Sequence, residues 1–103
     1  MAEVIWTETS LTDINNIAEY ISLDSYYYAS QFVEKLFKAV SKLEAHPEIG
    51  RKVPELPTSD YREILHGRFR IIYRVSSSQI FIISVHHSSR LLENSDHFKD
   101  LFK

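Results

Sequence analysis

The most informative part of the chain is residues 61–90, where hydrophobic and polar positions alternate. Residues 68–75 read RFRIIYRV, and a period-two alternation of aromatic and β-branched residues with polar ones predicts a β-strand. Successive side chains of a strand point to opposite sides of the sheet. One face is therefore predicted to be apolar and to belong to a core, and the other to be an open basic face: Phe69, Ile71, Tyr73 and Val75 on the first, Arg68, Arg70 and Arg74 on the second.

A second strand is predicted over residues 80–87, which are apolar at both odd and even positions. Strict alternation puts Phe81, Ile83, Val85 and His87 on one face and Ile80, Ile82, Ser84 and His86 on the other. A strand that is apolar on both faces is typical of the centre of a sheet. The polar connection over residues 76–79 has hairpin length, and Gly67 marks the join to a preceding strand, so the region predicts a three-stranded antiparallel meander.

The first half of the chain predicts a short strand and two helices. Residues 3–7 alternate weakly, and Ser10 then begins S-L-T-D, a variant of the capping box at the start of an amphipathic helix. Asp24 or Ser25 can cap a second, longer helix that should stop before Pro47. Two helices joined by so short a loop pack as an antiparallel hairpin. The predicted fold class is α+β, in the order β-α-α-β-β-β, with the hairpin packed on one face of a small, mainly antiparallel sheet.

Length and composition predict one soluble, cytoplasmic domain over residues 1–103. The chain has no cysteine, no targeting pattern and no apolar run that could cross a membrane. The net charge of −2 argues against a nucleic-acid binder, but residues 1–49 carry eight acids and three lysines, whereas residues 50–90 carry seven basic residues and three acids. This asymmetry predicts a polarised surface, although long basic side chains that only solvate a sheet face would give the same pattern.

Arginine and histidine are the candidate side chains for anion binding and for proton transfer in this sequence. Guanidinium groups on a strand and in nearby loops favour binding of phosphate or carboxylate, and histidine moves protons near neutral pH. Together they could supply the base and the cations that cleavage of a phosphodiester through a ribose hydroxyl requires. The alternative is structural: Arg62 and Arg74 could pair with Glu63, Glu55 or Asp60, and His87 could be a core histidine bonded to a carbonyl. No metal site and no cofactor site is predicted.

Three further segments leave alternatives open. Tyr26, Tyr27 and Tyr28 cannot all face a core at helical spacing, so they form either a partly buried cluster or a binding patch. Residues 47–60 hold all three prolines and predict a long loop, which is more often functional than accidental. In the tail, Phe98, Leu101 and Phe102 stand at helical spacing and predict a short terminal helix, loosely docked if at all.

Several short sequence motifs, taken together, resemble those of the RelE/ParE superfamily of toxins from type II toxin-antitoxin modules, and the resemblance is closer to the ParE branch. The motifs span nearly the whole chain in the family's order: W-x-x-x-S-x-x-D-I from Trp6, I-x-x-Y-I from Ile17, H-P-E-I-G-R-x-V-P-E from His46, R-E-I from Arg62, R-F-R-I-I-Y-R-V from Arg68 and V-H-H-S-S-R from Val85. The resemblance implies a growth-inhibiting toxin.

The family divides by target. ParE-like toxins inhibit DNA gyrase without an established nuclease site, whereas RelE-like toxins are ribosome-dependent endoribonucleases that cut mRNA. If this chain is a ribonuclease, the resemblance implies Arg70, Arg62 and His87 as its catalytic residues. Three departures count against that reading, since Ile64, Ser88 and Asn94 stand where a lysine, an arginine and a tyrosine are expected.

In the ParE-like reading the basic residues bind the target protein, and the set proposed for this role is Arg51, Arg68, Arg74 and Arg90. The resemblance also implies a cognate antitoxin, in a heterodimer or heterotetramer, that would cover Tyr26, Tyr27 and Tyr28 with an acidic amphipathic segment. Binding to DNA would then occur only through the antitoxin, and no membrane partner is expected. A third possibility is an inactive relative that only binds its antitoxin.

Overall fold

The computed structural model describes residues 1–90, 92–94 and 98. The strands are β1 (Glu3–Trp6), β2 (Arg51–Lys52), β3 (Arg62–His66), β4 (Phe69–Ser76) and β5 (Gln79–His87). The helices are α1 (Glu8–Ser22) and α2 (Tyr26–Ser41), and short 3-10 turns lie at Lys42–Glu44 and Leu92–Asn94. The predicted α+β class and the helical hairpin on a sheet are confirmed.

The strands form one mixed sheet in the order β1-β5-β4-β3-β2. β1 pairs with β5 in parallel, and the other three pairings are antiparallel. β5 therefore lies inside the sheet, as its two apolar faces predicted, and β3, β4 and β5 form the predicted meander. The fold has one strand more than predicted, because β2 lies within the proline-rich segment that was expected to be irregular throughout.

The start of α1 differs from the prediction. Thr7, not Ser10, is the N-cap: its side chain accepts the Ser10 amide at 3.2 Å, and the Ser10 hydroxyl donates back to the Thr7 carbonyl at 2.8 Å. A threonine at this position satisfies amides of the first turn that have no partner within the helix. Asp13 is therefore a residue of the helix interior, and its carboxylate is available for another contact.

The helical hairpin covers one face of the sheet. Ser25 caps α2 by accepting the Tyr28 amide, which confirms one of the two predicted caps. Buried side chains from both helices, from the 3-10 turn after α2 and from β4 and β5 form the principal core: Ile14, Leu36, Val40, Leu43, Ile71, Tyr73, Ile80, Ile82 and Val85. Burial of this apolar surface at about 25 cal/mol per Å² is the main force that holds the hairpin to the sheet.

A β-bulge corrects the predicted faces of β5. Ile72 lies opposite Ser84, but Tyr73 lies opposite Ile82, so Ile83 is an extra residue on β5. A bulge of this kind changes the phase of side-chain alternation. Ile80 and Ile82 consequently share the helix-covered face with Val85, whereas Phe81 and Ile83 contribute to a core on the other side. Strict alternation instead predicts that Phe81 and Ile83 share the face of Val85 and that Ile80 and Ile82 lie on the opposite face.

The face of the sheet away from the helices is covered, which contradicts the predicted open basic face. Val53 from the proline-rich segment packs there against Ile72, Ile83, Leu92 and Phe98, all of them buried. Arg70, predicted to stand on the open face, is 7% exposed. Of the predicted terminal helix, Phe98 is buried and in ring contact with Tyr61, while Leu101 and Phe102 lie outside the described residues.

Candidate functional site

A buried ionic network stands where an open arginine face was predicted. Glu63 of β3 has no exposed side-chain surface, and one of its oxygens accepts from Nε and Nη2 of Arg70 at 2.7 and 2.6 Å. The other oxygen accepts from Nε and Nη2 of Arg51 at 2.8 and 2.7 Å. Each carboxylate oxygen thus faces its own guanidinium, which offsets much of the cost of desolvating Glu63.

Glu55 of the proline-rich segment completes the network. Its carboxylate binds Arg70 in a bidentate pair, with Nη1–Oε2 and Nη2–Oε1 distances of 2.6 and 2.7 Å. These hydrogen bonds from Arg70 hold the pKa of Glu55 below its usual range, and the same bonds raise the pKa of Arg70. Every nitrogen of Arg70 consequently donates to a carboxylate and its side chain is 8% exposed, so a phosphate could form a bidentate pair with this guanidinium only by displacing one of the carboxylates.

The H-P-E-I-G-R motif holds the proline-rich segment to the sheet through hydrogen bonds. The buried Tyr73 hydroxyl accepts from the Gly50 amide at 2.9 Å and donates to the Pro47 carbonyl at 2.7 Å. The Gly50 carbonyl accepts from Arg62 at 2.8 Å. A Cβ atom at Gly50 would lie 2.5 Å from the Tyr73 hydroxyl, so only glycine permits this approach. Burial raises the pKa of Tyr73, which keeps the hydroxyl protonated and able to donate.

The structure does not bring the three predicted catalytic residues together. Arg62 lies opposite Tyr73 and His87 opposite Phe69, which places both on the helix-covered face. Arg70 lies opposite Leu65 and His86 on the other face, inside the ionic network.

The two histidines at the end of β5 have different surroundings. His87 is partly buried, makes an edge contact with the Phe69 ring and accepts the Ser89 amide at Nδ1 over 3.1 Å. Because a backbone amide can only donate, Nδ1 is unprotonated and the ring proton of neutral His87 is on Nε2. His86 is the buried residue bonded to a carbonyl, through Nε2 and the Arg90 oxygen at 2.9 Å, a position that the sequence had suggested for His87.

A polar cleft of about 320 Å³ lies between α1 and the end of β5. β1 pairs with β5 only as far as Ile82, and beyond it Asp13 accepts the Val85 amide at 3.0 Å. Burial raises the pKa of Asp13, while the Val85 and Ser84 hydrogen bonds and the nearby His86 and Arg90 oppose that shift. Asp13 thus completes the hydrogen bonding of the sheet edge at the inner wall of the cleft.

The remaining predicted contact residues are on the surface. Arg68, Arg74 and Arg90 are exposed, and so is Arg51 although it pairs with Glu63. Tyr26, Tyr27 and Tyr28 are all exposed, by 83%, 67% and 67%. They form a patch at the start of α2 instead of a partly buried cluster. Their predicted role in antitoxin binding, like the target-binding role of the arginines, stays a prediction.

Sequence reasoning missed Asp13 and Tyr73 as organising residues of this region, and it named Glu63 and Glu55 only as alternative partners of Arg62 and Arg74. A signal existed for Glu63, because alternation along β3 and the antiparallel register put it on the same face as Arg70, one cross-strand diagonal away. No comparable signal existed for Glu55, which reaches Arg70 from an irregular segment. Asp13 was assigned to a capping box, which concealed its contact with β5.

Comparison with solved structures shows which known proteins share this fold. The structure resembles that of a chromosomal ParDE toxin-antitoxin system from Pseudomonas aeruginosa, with a TM-score of 0.72 and 21% identity over 84% of this chain and 96% of the other. It also resembles the toxin-antitoxin complex RelBE2 from Mycobacterium tuberculosis, with a TM-score of 0.58 and 20% identity over the same shares. At these identities the likeness shows the fold.

Sequence relationships define the family. A curated relative, Toxin RelE2 of Caulobacter vibrioides, is 33% identical over 92 residues, which is 88% of this chain and all of the relative. Residues 4–92 match the family described as the ParE toxin of the type II toxin-antitoxin system parDE. The chain therefore belongs to the ParE toxin family, within the RelE/ParE superfamily.

Within residues 1–90, 92–94 and 98, no helix is both long and apolar enough to span a bilayer. In the same residues, no three His, Asp or Glu side chains gather in a way that could hold a metal ion.

Proposed function

We propose that this chain is a cytoplasmic ParE-like toxin that arrests growth by binding DNA gyrase, or another essential protein, without cleaving nucleic acid. The observation that carries the proposal is the state of Arg70, whose nitrogens all donate to Glu55 and Glu63. In the ribonuclease alternative, Arg70 would have to be free to stabilise the charge on a phosphorane. Here that residue instead holds the proline-rich segment to the sheet.

The surroundings of His87 support the same proposal. A general base needs an unprotonated ring nitrogen aimed at the hydroxyl that it deprotonates. The unprotonated Nδ1 of His87 accepts the Ser89 amide and also lies 2.6 Å from the Ser89 hydroxyl. Nε2 carries the proton, so neutral His87 has a hydrogen-bond donor at Nε2 and no free basic nitrogen.

A cognate antitoxin is the second part of the proposal. Tyr26, Tyr27 and Tyr28 offer aromatic rings with polar tips at the surface, a composition that suits recognition of an amphipathic segment. An acidic segment would be attracted by the basic half of the chain. Binding of the complex to operator DNA would be a property of the antitoxin.

One observation favours ribonuclease activity as a second candidate. His87 and Arg90 line the same polar cleft, so a proton-transfer group and a cation do occur together at one surface. In this alternative, the Ser89 contacts would open when RNA binds, and Glu55 would leave Arg70.

One culture tests both candidates. The chain is expressed from a tightly repressed promoter, and plasmid supercoiling and mRNA integrity are followed together. We expect loss of negative supercoiling and filamentation while mRNA stays intact. Cleavage of mRNA at ribosome-occupied codons would refute the proposal, and the variant H87Q would then be expected to lose activity. Absence of growth arrest from soluble, folded protein would favour an inactive relative that only binds its antitoxin.

A further inference from the structure

The turn between β3 and β4 forms a ridge between two grooves. The ridge consists of Arg68, which is exposed, and Phe69, which is partly buried. One groove, of about 400 Å³, lies between the ridge and α1 and is walled by Ile17, Tyr20 and Ile21. The other, of about 390 Å³, lies between the ridge and α2 and is walled by Tyr28, Phe32 and His66.

The grooves are apolar inside and positive at their rim. Rings of Phe32 and Phe69 meet edge to face at 5.1 Å and form the floor, and His87 meets Phe69 at the same distance from the other side. Among the described residues, Arg68 and Lys35 are the charged side chains that line the grooves, and no carboxylate of those residues does so. Burial and the nearby Lys35 lower the pKa of His66, so this histidine stays neutral at physiological pH and adds no charge.

A peptide segment with a carboxylate between apolar side chains would complement the ridge and the two grooves. A side-chain carboxylate can pair with Arg68 on the ridge while apolar side chains on either side of it enter the two grooves. The outer walls carry Tyr20 and Tyr28, which are 76% and 67% exposed and can bury their rings against a bound segment. Single-stranded nucleic acid fits less well, since it requires a continuous basic track for its phosphates, and these grooves supply two cations.

We propose that the Arg68 ridge and its two grooves bind a segment of the toxin's protein target in which an acidic residue is flanked by apolar residues. This inference rests on the proposed function, because it assigns the contact surface of a target that is a protein. It singles out Arg68 because this arginine lines both grooves, whereas Arg70 and Arg51 are paired with Glu63.

The decisive variant is Arg68→Glu, which reverses the charge at an exposed turn residue. The matched control is Lys42→Glu, which makes the same change of charge at an exposed residue at the far end of α2. Circular dichroism confirms the fold of both variants. We expect R68E to weaken target binding at least tenfold and to relieve growth arrest, whereas K42E stays as toxic as the unaltered chain. Arg68→Lys should retain part of the toxicity, because it keeps the charge but not the planar donor fork.

Three readouts separate this inference from the proposed function. Inhibition of purified gyrase by the unaltered chain tests the function, and growth arrest by R68E tests the surface. The third is the change in amide chemical shifts of isotope-labelled toxin on titration with the peptide acetyl-Ser-Leu-Glu-Asp-Leu-Ser-amide at millimolar concentration, with a peptide carrying Lys-Lys in place of Glu-Asp as its control. Shifts centred on residues 66–69 that R68E abolishes would support the inference. Undiminished toxicity of R68E, or loss of antitoxin binding with toxicity intact, would overturn it even if gyrase is the target.

Discussion

The two faces of the central strands are both buried, but by different chemistry. On the helix-covered face, β4 and β5 meet Leu36, Val40 and Leu43, and the hydroxyl of Tyr73, a member of that core, makes two hydrogen bonds. On the other face, Arg70 and Glu63 are buried as charges beside Ile72 and Val53. Burying an apolar side chain stabilises by itself, whereas a buried charge is tolerated only while every partner is present. The second face should therefore be the more sensitive to single substitutions.

The largest expected effect is that of Glu63→Ala. It leaves Arg70 without its buried partner and should lower the free energy of unfolding by about 3–5 kcal/mol. Urea denaturation measures the loss. The comparison is sharpened by the triple variant E55L/E63L/R70M, which replaces the ions by apolar groups and should recover most of the stability. A loss below about 1 kcal/mol for Glu63→Ala would show that the network contributes little.

The next effect tests the polar group on the other face. Tyr73→Phe removes a hydroxyl that serves as both donor and acceptor, so the Gly50 amide and the Pro47 carbonyl lose their partner. We expect a loss of about 1–3 kcal/mol and faster proteolysis within residues 47–60. Tyr26→Phe is the control, since that ring is exposed and its hydroxyl can bond to water. Equal stability of the two variants would contradict the docking role of Tyr73.

Acid pH should distinguish two carboxylates that differ in their surroundings. The pKa of Glu55 is lowered in the folded state, so its stabilising contribution is complete above pH 4.5 and is lost as the pH falls through the lowered value. The pKa of Asp13 is raised from 3.8, so its contribution has the opposite sign: it is complete below pH 3.8 and is lost as the pH rises through the raised value. Glu55→Gln should therefore flatten the fall in stability on acidification, and Asp13→Asn should steepen it. Unfolding by urea between pH 3 and pH 6 checks both slopes, and the same slope in both variants would refute the assignment.

The smallest expected effect is that of Arg74→Ala. Arg74 stands on the same strand as Arg70 but is exposed, so its removal should change the free energy of unfolding by about 0.5 kcal/mol or less. Urea denaturation of Arg74→Ala and Arg70→Ala under the same conditions compares their losses in the free energy of unfolding. A loss for Arg74→Ala as large as that for Arg70→Ala would mean that exposure does not separate the two arginines.

Local patterns predicted the elements of this fold well. Period-two alternation located β4 and β5, helical spacing located α1 and α2, and the apolar character of both β5 faces predicted its central place. These features depend on neighbours in sequence. The bulge at Ile83 and the strand β2 depend on pairing with another strand, β4 and β3 respectively, so the pattern within a single segment does not predict them.

The candidate site was less predictable because the identity of a charged residue does not indicate whether its side chain is buried and paired or exposed. Arg70 and Arg74 occupy equivalent positions in the alternation of β4, yet one is buried and paired and the other is exposed. Their difference comes from Val53, Glu55 and Phe98, which reach the second face from segments without regular spacing. The structural alternative, in which arginines pair with Glu63 or Glu55, named Arg62 and Arg74, whereas Arg70 and Arg51 are the residues that make these pairs.

The parallel pairing of β1 with β5 has a consequence for synthesis. Among the described strands, β1 is translated before the others, and its partner, residues 79–82, belongs to β5, which is translated after them. Closing so long a loop is slow, and the sheet order cannot be completed until β5 has left the ribosome. A nascent chain that stops before residue 79 lacks the neighbour that β1 requires. We therefore expect that interrupted translation yields harmless fragments, and that a cell meets a competent toxin only when nearly all of this chain has been made.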